Sequence, residues 1–449
     1  MVLEREHWTT RLGFILAAAG SAVGLGNIWR FPFITGQMGG AMFLLIYLVT
    51  VLLIGYPMMI TEITLGKKAQ KNPLGTFKEL APDTPWWLVG ALVILTAFII
   101  MSYYSVVAGW AMHYSVESAT GLPEEGHAEV FIDHISGMWL PTFYHAIFMG
   151  LTAGIVALGV VKGIQRTVKL LMPILFILIL VVIGRAVTLD GAMEGLEFYL
   201  SPELGDVTIE SLNAAIGQAF FTLSLGMGII ITYGSYLDEE ENVADNAASV
   251  VGLDTLVAIL AGFAIFPAVF AMGFDPGEGA GLTFITLPAV FAEMPAGSFF
   301  AFLFFVLLTI AALTSAISLT EVVVSWLIDE YGWARMKAAA LIGTLMFLFG
   351  IPPILGYGAW DGFEFYGMDI LDTYDFWADS IMLPLGGLLV AIFAGYVFKA
   401  NNVADEANRT AEKIKVGKWF APLVRYLIPI AIAVIITINL WETFVGPIF

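Results

Sequence analysis

Long apolar stretches, separated by short polar segments, dominate the pattern along the chain. A helix needs about 20 mainly apolar residues to cross the hydrocarbon core of a bilayer. Runs of that length fall at 11–37, 41–66, 86–118, 139–160, 166–187, 211–237, 246–272, 297–328, 334–355, 376–399 and 419–441. The pattern therefore predicts an all-α integral membrane protein with eleven transmembrane helices.

Composition supports this prediction. Hydrophobic residues make up 59% of the chain and charged residues 13%, with a mean hydropathy of +0.87, far from the averages of soluble domains. The chain has no cysteine, which excludes disulfides, thiol catalysis and cysteine-based metal sites. Arg5 and Arg11 precede the first apolar run, and no small-residue cleavage site follows, so we expect an uncleaved first helix.

The basic residues predict the orientation of the chain. The segments 119–138, 188–210, 273–296 and 356–373 contain no Lys or Arg. Because cytoplasmic loops are enriched in these residues, we expect a multi-pass protein of the cell inner (plasma) membrane with a cytoplasmic N-terminus and, given eleven helices, an extracellular C-terminus. The net charge of −19 then lies mainly in external loops as a solvated acidic face, and it does not indicate a nucleic-acid partner.

The first apolar run is interrupted at 20–30 by the segment GSAVGLGNIWR. Each glycine inside a helix costs about 1 kcal/mol relative to alanine, and Asn27 and Arg30 place polar groups at membrane depth. Unwound backbone in a membrane persists only where it is buried in protein or lines a cavity, so the segment is a candidate ligand site. The alternative is that the glycines only allow close helix packing.

A second interruption favours the ligand site. The run at 211–237 contains FFTLSLGMG, which puts Thr222, Ser224, Gly226 and Gly228 at mid-depth. We therefore expect a single transporter domain over 1–449, with five-helix repeats at 11–187 and 211–399 and an additional helix at 419–441. In transporters, broken helices at corresponding positions of the two halves mark the binding site, a rule derived partly from the transporter family that this chain resembles.

Four motifs resemble those of the neurotransmitter:sodium symporter family, in particular its bacterial amino-acid transporters. They are REHW at 5–8, GSAVGLGNIWRFP at 20–32, FFTLSLGMG at 220–228 and LTSAISL at 313–319. The similarity extends from Arg5 to about Trp441. It implies a 5+5 inverted-repeat fold with broken helices 1 and 6, which carries an amino acid and sodium by alternating access. The absence of a twelfth predicted helix leaves the oligomeric state open.

The resemblance also implies a substrate site. The carboxylate would be held by the N–H groups of Leu25 and Gly26 and the Tyr104 hydroxyl. The ammonium would be held by the carbonyls of Ala22, Phe221 and Thr222 and by Ser224. The side-chain pocket would be lined by Ile100, Tyr104, Phe221, Met227, Ser315 and Leu319. Read without the family motif, Tyr104 is equally consistent with an interface or core tyrosine.

The same resemblance implies two sodium ions, and oxygen ligands at helix ends suit hard cations. The first sodium would be bound by Ala22, Asn27, Thr222 and Asp254. The second would be bound by Gly20, Val23, Ala311, Thr314 and Ser315. For Thr314 and Ser315 the alternative is a hydroxyl bonded back to the preceding helical turn. A fixed charge at Asp254 predicts transport that does not depend on chloride.

Intramembrane charges are functional by default, and here they stand at positions where they can pair. The resemblance implies an outer pair of Arg30 with Asp375 and an inner pair of Arg5 with Asp329. Trp8 near Tyr236 would thicken the inner seal. A solvated charge at a helix end is the alternative for Asp329.

These observations predict a sodium-coupled symporter of hydrophobic L-amino acids, including aromatic ones such as tryptophan, because Met227 is flexible and unbranched. The alternatives are a sodium symporter for a smaller or different amino acid and an ion channel, since glycine-broken helices also line pores. An intramembrane protease is disfavoured because HExxH and GxGD motifs are absent, and we expect no enzymatic activity.

Overall fold

The computed structural model describes residues 6–123, 125–202, 207–276, 281–411 and 413–446. These residues form helices joined by short loops, in agreement with the predicted all-α membrane fold. The helices at the predicted runs, numbered 1 to 11 in chain order, are Arg11–Ala22 with Gly26–Gln37, Ala41–Ala69, Trp87–Thr120, Trp139–Ala157, Val160–Ala186, Ile209–Thr222 with Ile229–Gly234, Val243–Ala271, Gly297–Tyr331, Arg335–Gly356, Ile370–Val397 and Phe420–Phe444.

Helices 1 and 6 are broken, as predicted. The two parts of helix 1 bend by 50° at their junction. In the described part of the chain, nine helices are individually long and apolar enough to span a bilayer, and the bent pair of helix 1 makes up to ten. Each part of helix 6 is shorter than a full span, so a count of eleven transmembrane helices stays a prediction.

Two predicted helix starts differ from the structure by six residues, whereas the other predicted boundaries differ by three residues or fewer. Helix 5 begins at Val160 rather than 166, directly after Gly159, whose φ of +95° turns the chain. Helix 10 begins at Ile370 rather than 376, because the Asp369 side chain caps its first turn by accepting the Asp372 N–H at 2.8 Å. The hydrophobic pattern missed this turn because its capping and flanking residues are polar.

Shorter helices lie between the long ones, at Pro73–Leu80, His127–Ser136, Ala192–Leu200, Leu287–Glu293 and Ala400–Asn408. The helix His127–Ser136, which we call the loop helix, packs Phe131 against Trp110 of helix 3 at a centroid distance of 5.5 Å. Phe131 also stacks on Phe284 at 5.5 Å. These contacts place the loop helix over one end of helix 3.

Helix 3 lies in the centre of the bundle and helix 11 at its edge. In the most apolar 18-residue stretch of helix 3, 72% of the residues are buried, whereas in the corresponding stretch of helix 11 only 22% are buried. Helix 3 packs extensively along helix 8, and helix 1 packs against helices 7 and 8. The break in helix 1 is therefore surrounded by protein rather than lipid.

Candidate functional site

The two helix breaks lie against each other. Val23 leaves the first part of helix 1 with an extended backbone. In the break of helix 6, Ser224 has a φ of +55° and Gly226 a φ of +75°. The Ser224 hydroxyl lies 3.1 Å from the Ser21 hydroxyl and 3.2 Å from the Ser21 carbonyl. Both unwound segments are thus buried in protein, as unpaired backbone in a membrane requires.

Two glycines of the first break are also sites of close packing. A Cβ on Gly24 would collide with the Ser315 hydroxyl and lie 3.0 Å from that of Tyr104. A Cβ on Gly26 would lie 2.9 Å from the Phe221 ring. The close-packing explanation therefore holds here together with the unwinding.

A small inner cavity lies between the breaks. The space open to the centre of a water molecule is about 20 Å³. Its lining comprises Ser21, Ala22, Gly24, Gly26, Ile100, Tyr104, Phe221, Ser224, Met227, Ile229, Ser315 and Leu319. The structure thus brings together all the predicted substrate residues except Leu25 and Thr222, which adjoin lining residues in the chain. The lining is polar near the breaks and apolar at Ile100, Met227 and Leu319.

Tyr104 is positioned by the break in helix 1. Its hydroxyl accepts a hydrogen bond from the Leu25 N–H at 3.2 Å, and its side chain is buried. The first N–H groups of a helix have no partner within the helix. The Leu25 N–H and the Tyr104 hydroxyl therefore form a polar pair at the start of the second part of helix 1, where the helix dipole favours a negative charge.

A larger cavity of about 330 Å³, which we call the vestibule, lies on the other side of Tyr104 and Phe221. We name the Arg30 end of the protein the outer end and the Trp8 end the inner end, following the predicted orientation. The Arg30 guanidinium lies 4.7 Å from the centroid of the Phe221 ring. Phe221 and Arg30 therefore separate the inner cavity from the vestibule.

The ion pair of Arg30 is with Asp379, at 2.6 Å. The predicted partner, Asp375, lies one helical turn earlier and lines the vestibule together with Arg30. Helix 10 is wound as a π-helix over Phe376–Met382, and this turn carries Asp379. The pairing of Arg30 with Asp375 stays a prediction.

The predicted first sodium residues converge around Asp254, which is completely buried in helix 7. Its Oδ1 accepts hydrogen bonds from the Asn27 amide at 2.7 Å and the Thr222 hydroxyl at 3.1 Å. Both donors are neutral, and no donor among the described residues makes a hydrogen bond with Oδ2. A buried carboxylate with only neutral partners is costly, and either a bound cation or protonation would relieve that cost.

The predicted second sodium residues lie where helix 1 meets helix 8. The Thr314 hydroxyl is 2.9 Å from the Ala311 carbonyl and 3.4 Å from the Val23 carbonyl. A Cβ on Gly20 would lie 3.6 Å from that of Thr314. Thr314 thus makes the back-bond typical of helical threonine and also faces the break. The Ser315 hydroxyl donates to the Ser21 carbonyl at 2.7 Å.

The inner end is closed by Trp8. Its indole N–H donates to the Tyr233 carbonyl at 2.9 Å, and its ring lies 6.0 Å from that of Tyr236. The predicted inner partner Arg5 lies outside the described residues. Asp329 accepts the Asn72 N–H at 2.8 Å.

Several functional candidates escaped the sequence reasoning. Glu321 in helix 8 is completely buried, accepts the Tyr236 hydroxyl at 2.6 Å and pairs with Arg335 at 2.7 Å. A glutamate inside an apolar run was a usable signal. Ser21 stands within the first break and Asp379 follows Asp375 by four residues, so both were also visible in the sequence.

Comparisons with known proteins agree with this geometry. The profile of the sodium:neurotransmitter symporter family matches residues 5–135 and 135–445. An uncharacterised sodium-dependent transporter of Bacillus subtilis is 40% identical over 440 residues, or 97% of each chain. Another, from Haemophilus influenzae, is 37% identical over 453 residues, covering 98% of this chain and 99% of that one.

A solved structure is also similar. The crystal structure of MhsT in complex with L-phenylalanine matches with a TM-score of 0.89 at 44% identity, covering 97% of this chain and 99% of that one. The predicted family, the fold with two broken helices and the absence of enzymatic activity are thus confirmed. This protein is a sodium-dependent, multi-pass membrane transporter that belongs to the sodium:neurotransmitter symporter family.

Proposed function

We propose that the protein imports hydrophobic L-amino acids, including aromatic ones such as tryptophan, with two sodium ions and without chloride. The observation that carries this proposal is the inner cavity at the facing helix breaks. One end of it presents helix-end N–H groups, carbonyls and hydroxyls, and the other presents apolar side chains. An amino-acid zwitterion needs both donors and acceptors at its polar end.

The substrate class rests on the apolar end of the cavity. Ile100, Met227 and Leu319 offer no hydrogen bonds to a side chain, which disfavours polar substrates. Met227 has an unbranched thioether that repacks around ligands of different shape. The similar structure of MhsT contains L-phenylalanine, which supports an aromatic substrate. The cavity of about 20 Å³ favours the second candidate, a smaller amino acid, unless Met227 and Phe221 move aside.

The number of ions rests on the two groups of oxygen atoms. Sodium at Asp254 would be bound by a carboxylate, the Asn27 and Thr222 side chains and the Ala22 carbonyl, and it would lie beside the substrate carboxylate. Sodium at Thr314 would lie between helices 1 and 8. Both sites include part of the break in helix 1, so each ion would stabilise the conformation that binds the amino acid.

Chloride independence rests on Asp254. Two sodium ions beside a neutral zwitterion add two positive charges to a buried site, where uncompensated charge is costly. A fixed carboxylate supplies one negative charge, so a bound anion is redundant. The competing explanation is a protonated Asp254 that accepts only through its carbonyl, as asparagine would.

The proposed route of substrate access follows from a difference between the two ends of the protein. The vestibule of about 330 Å³ leads to Phe221 from the outer end, whereas Trp8 bonds to Tyr233 at the inner end. We propose that the inner end opens after the outer end closes. Arg30 with Asp375 or Asp379 would act in the outer gate, and Arg5, Asp329, Trp8 and Tyr236 in the inner one.

Uptake into proteoliposomes tests the function. An inward sodium gradient should concentrate labelled L-phenylalanine above its outside concentration, and unlabelled leucine and tryptophan should compete. A sodium-dependent flux that never exceeds equilibrium would indicate a channel. Competition by glycine and alanine but not by tryptophan would favour the smaller substrate.

Anion replacement tests chloride independence separately. Replacing chloride with gluconate at constant sodium should leave sodium-driven uptake unchanged, and a several-fold drop would contradict the proposal. Asp254→Asn should weaken sodium binding in both media. An Asp254→Asn variant as active as the parent without chloride would also contradict it.

A further inference from the structure

A chain of hydrogen bonds connects three helices beside the outer ion pair. The Asn213 side chain in helix 6 donates from Nδ2 to Oδ1 of Asn439 in helix 11 at 3.0 Å. Asn439 donates from its own Nδ2 to the backbone carbonyl of Ser380 in helix 10 at 3.2 Å. Both asparagines are half-buried. This series of hydrogen bonds thus connects helix 6, one of the two broken helices, to helix 10, which carries Asp375 and Asp379.

The Ser380 carbonyl lacks the donor that an α-helix would supply. In an α-helix this carbonyl would accept the N–H of the residue four positions later. That residue is Pro384, which has no N–H. In the π-helical register of this segment the helical donor would be the N–H of Leu385, five residues later, and the Asn439 amide adds a donor from outside the helix.

The carbonyl that accepts from Asn439 belongs to Ser380, the residue directly after Asp379. Asp379 precedes Ser380, and its carboxylate pairs with Arg30 at 2.6 Å. Both residues belong to the π-helical segment Phe376–Met382, and such segments are frequent at functional sites. A shift of this turn would move the Asp379 carboxylate relative to Arg30.

The other end of the hydrogen-bond chain reaches the same gate from helix 6. Asn213 lies about two helical turns before Phe221, the residue whose ring is covered by the Arg30 guanidinium at 4.7 Å. Arg30 therefore joins helices 6 and 10 on the vestibule side. The asparagine pair joins the same two helices from the side of helix 11.

The plain alternative is that the asparagines only attach helix 11 to the bundle, since interhelical amides commonly do so in membranes. Helix 11 is otherwise mostly apolar and faces lipid. An attachment alone, however, would work with any acceptor along helix 10. Here the acceptor is the backbone carbonyl of the residue that follows Asp379, whose carboxylate pairs with Arg30, at the position where Pro384 removes the α-helical donor.

We propose that Asn439, oriented by Asn213, is a positioning residue of the outer gate. By donating to the Ser380 carbonyl it fixes the π-helical turn so that Asp379 reaches Arg30 and the gate can close over a bound amino acid. This inference rests on the proposed role of the outer end as a gate. Loss of the Asn439 amide should therefore favour the outward-open conformation.

Thiol labelling of the vestibule tests this inference without requiring transport. The chain has no cysteine, so Ile135→Cys, in the vestibule lining, provides a single reporter. In the parent reporter, sodium with saturating L-phenylalanine should slow labelling by an impermeant maleimide several-fold relative to sodium alone. Asn439→Leu should abolish most of this protection, and Asn213→Leu should reduce it.

Matched variants separate gating from attachment. Thr437→Val removes a hydroxyl from helix 11 whose hydrogen bond is local, to the Ala433 carbonyl at 2.7 Å, and should keep full protection. Asn439→Gln keeps the amide and should restore part of it. Asp379→Asn should lose protection as Asn439→Leu does, and the double variant should lose no more than either single one, because both act on one ion pair.

The possible results distinguish the two proposals. If the parent reporter shows no protection, the proposed function of the outer end is wrong. If the parent is protected and Asn439→Leu is protected equally, the positioning role is wrong, even if Asn439→Leu lowers the melting temperature. If Asn439→Leu does not fold, Asn213→Leu decides the question, because it removes the donor that orients Asn439, and full protection in it contradicts the inference.

Discussion

The Tyr104 hydroxyl offers a direct test of how the inner cavity holds an amino acid. Tyr104→Phe removes a single oxygen atom and keeps the buried ring between the inner cavity and the vestibule. That oxygen accepts the Leu25 N–H at 3.2 Å and is the proposed donor to the substrate carboxylate. We expect the variant to fold normally and to bind amino acids more weakly.

The size of the effect follows from two opposing contributions. A hydrogen bond to a charged group contributes about 1.5–3 kcal/mol, which corresponds to roughly 10- to 150-fold in affinity. The variant also leaves the buried Leu25 N–H without its acceptor in the unliganded protein, and a bound carboxylate would relieve that cost. Because this relief favours binding to the variant, we expect the loss of affinity to lie near the lower end of that range, at about tenfold.

Equilibrium binding of labelled L-phenylalanine at saturating sodium measures this loss, and a melting curve confirms folding. Tyr103→Phe is the matched control, since Tyr103 is buried one residue earlier but lines the vestibule. Its affinity should stay within about twofold of the parent, less than half a kcal/mol. An unchanged Tyr104→Phe together with a weakened Tyr103→Phe would move the carboxylate site into the vestibule and refute the reasoning.

Three further changes have defined outcomes. Met227→Phe should weaken competition by tryptophan relative to leucine in uptake assays, because a phenyl ring cannot move aside as a thioether does. Pro173 lies inside helix 5, where a proline removes a helical hydrogen bond, and Gly163 lies nearer the start of the same helix. If opening of the inner end requires helix 5 to unwind between these two residues, Pro173→Ala should keep substrate binding but slow transport, whereas a static kink predicts no change in either. Burial and the neighbouring His113 ring lower the pKa of His134 in the loop helix to about 3, below the value of about 6.5 in an unfolded chain. The loop helix should therefore lose stability as the pH falls below about 6.5, as increased proteolysis would show. His134→Leu should reduce this dependence but not abolish it, because burial also lowers the pKa of His127 in the same helix.

The sequence predicted the helices and their breaks because both depend on local composition. Apolar runs of spanning length locate helices from burial in lipid alone, and glycines with polar neighbours inside such a run mark an interruption. Polar helix ends were less predictable: the turn at Ile370 is formed by an Asp369 cap, which a hydrophobic pattern does not register.

Partners across the bundle were the least predictable feature. Asp375 and Asp379 are four residues apart and share one helix face, so the sequence offered two equivalent partners for Arg30. The π-helical winding of that segment changes the direction of its side chains, and only the structure shows which carboxylate Arg30 contacts. Glu321 and Arg335 stood in the sequence as charges near the membrane, but their pairing depends on how helices 8 and 9 meet.

The arrangement of the first break explains how sodium and an amino acid would be coupled. The Leu25 N–H contacts the proposed carboxylate ligand Tyr104, and two residues later the Asn27 amide contacts Asp254. On helix 6, Phe221 lines the cavity and the adjacent Thr222 donates to Asp254. An ion that fixes Asn27 and Thr222 thereby fixes the backbone that holds the amino acid, and by linkage the amino acid must strengthen sodium binding by the same factor. Coupling in this transporter then requires no signal over distance, because the two binding sites share the same few residues of unwound backbone.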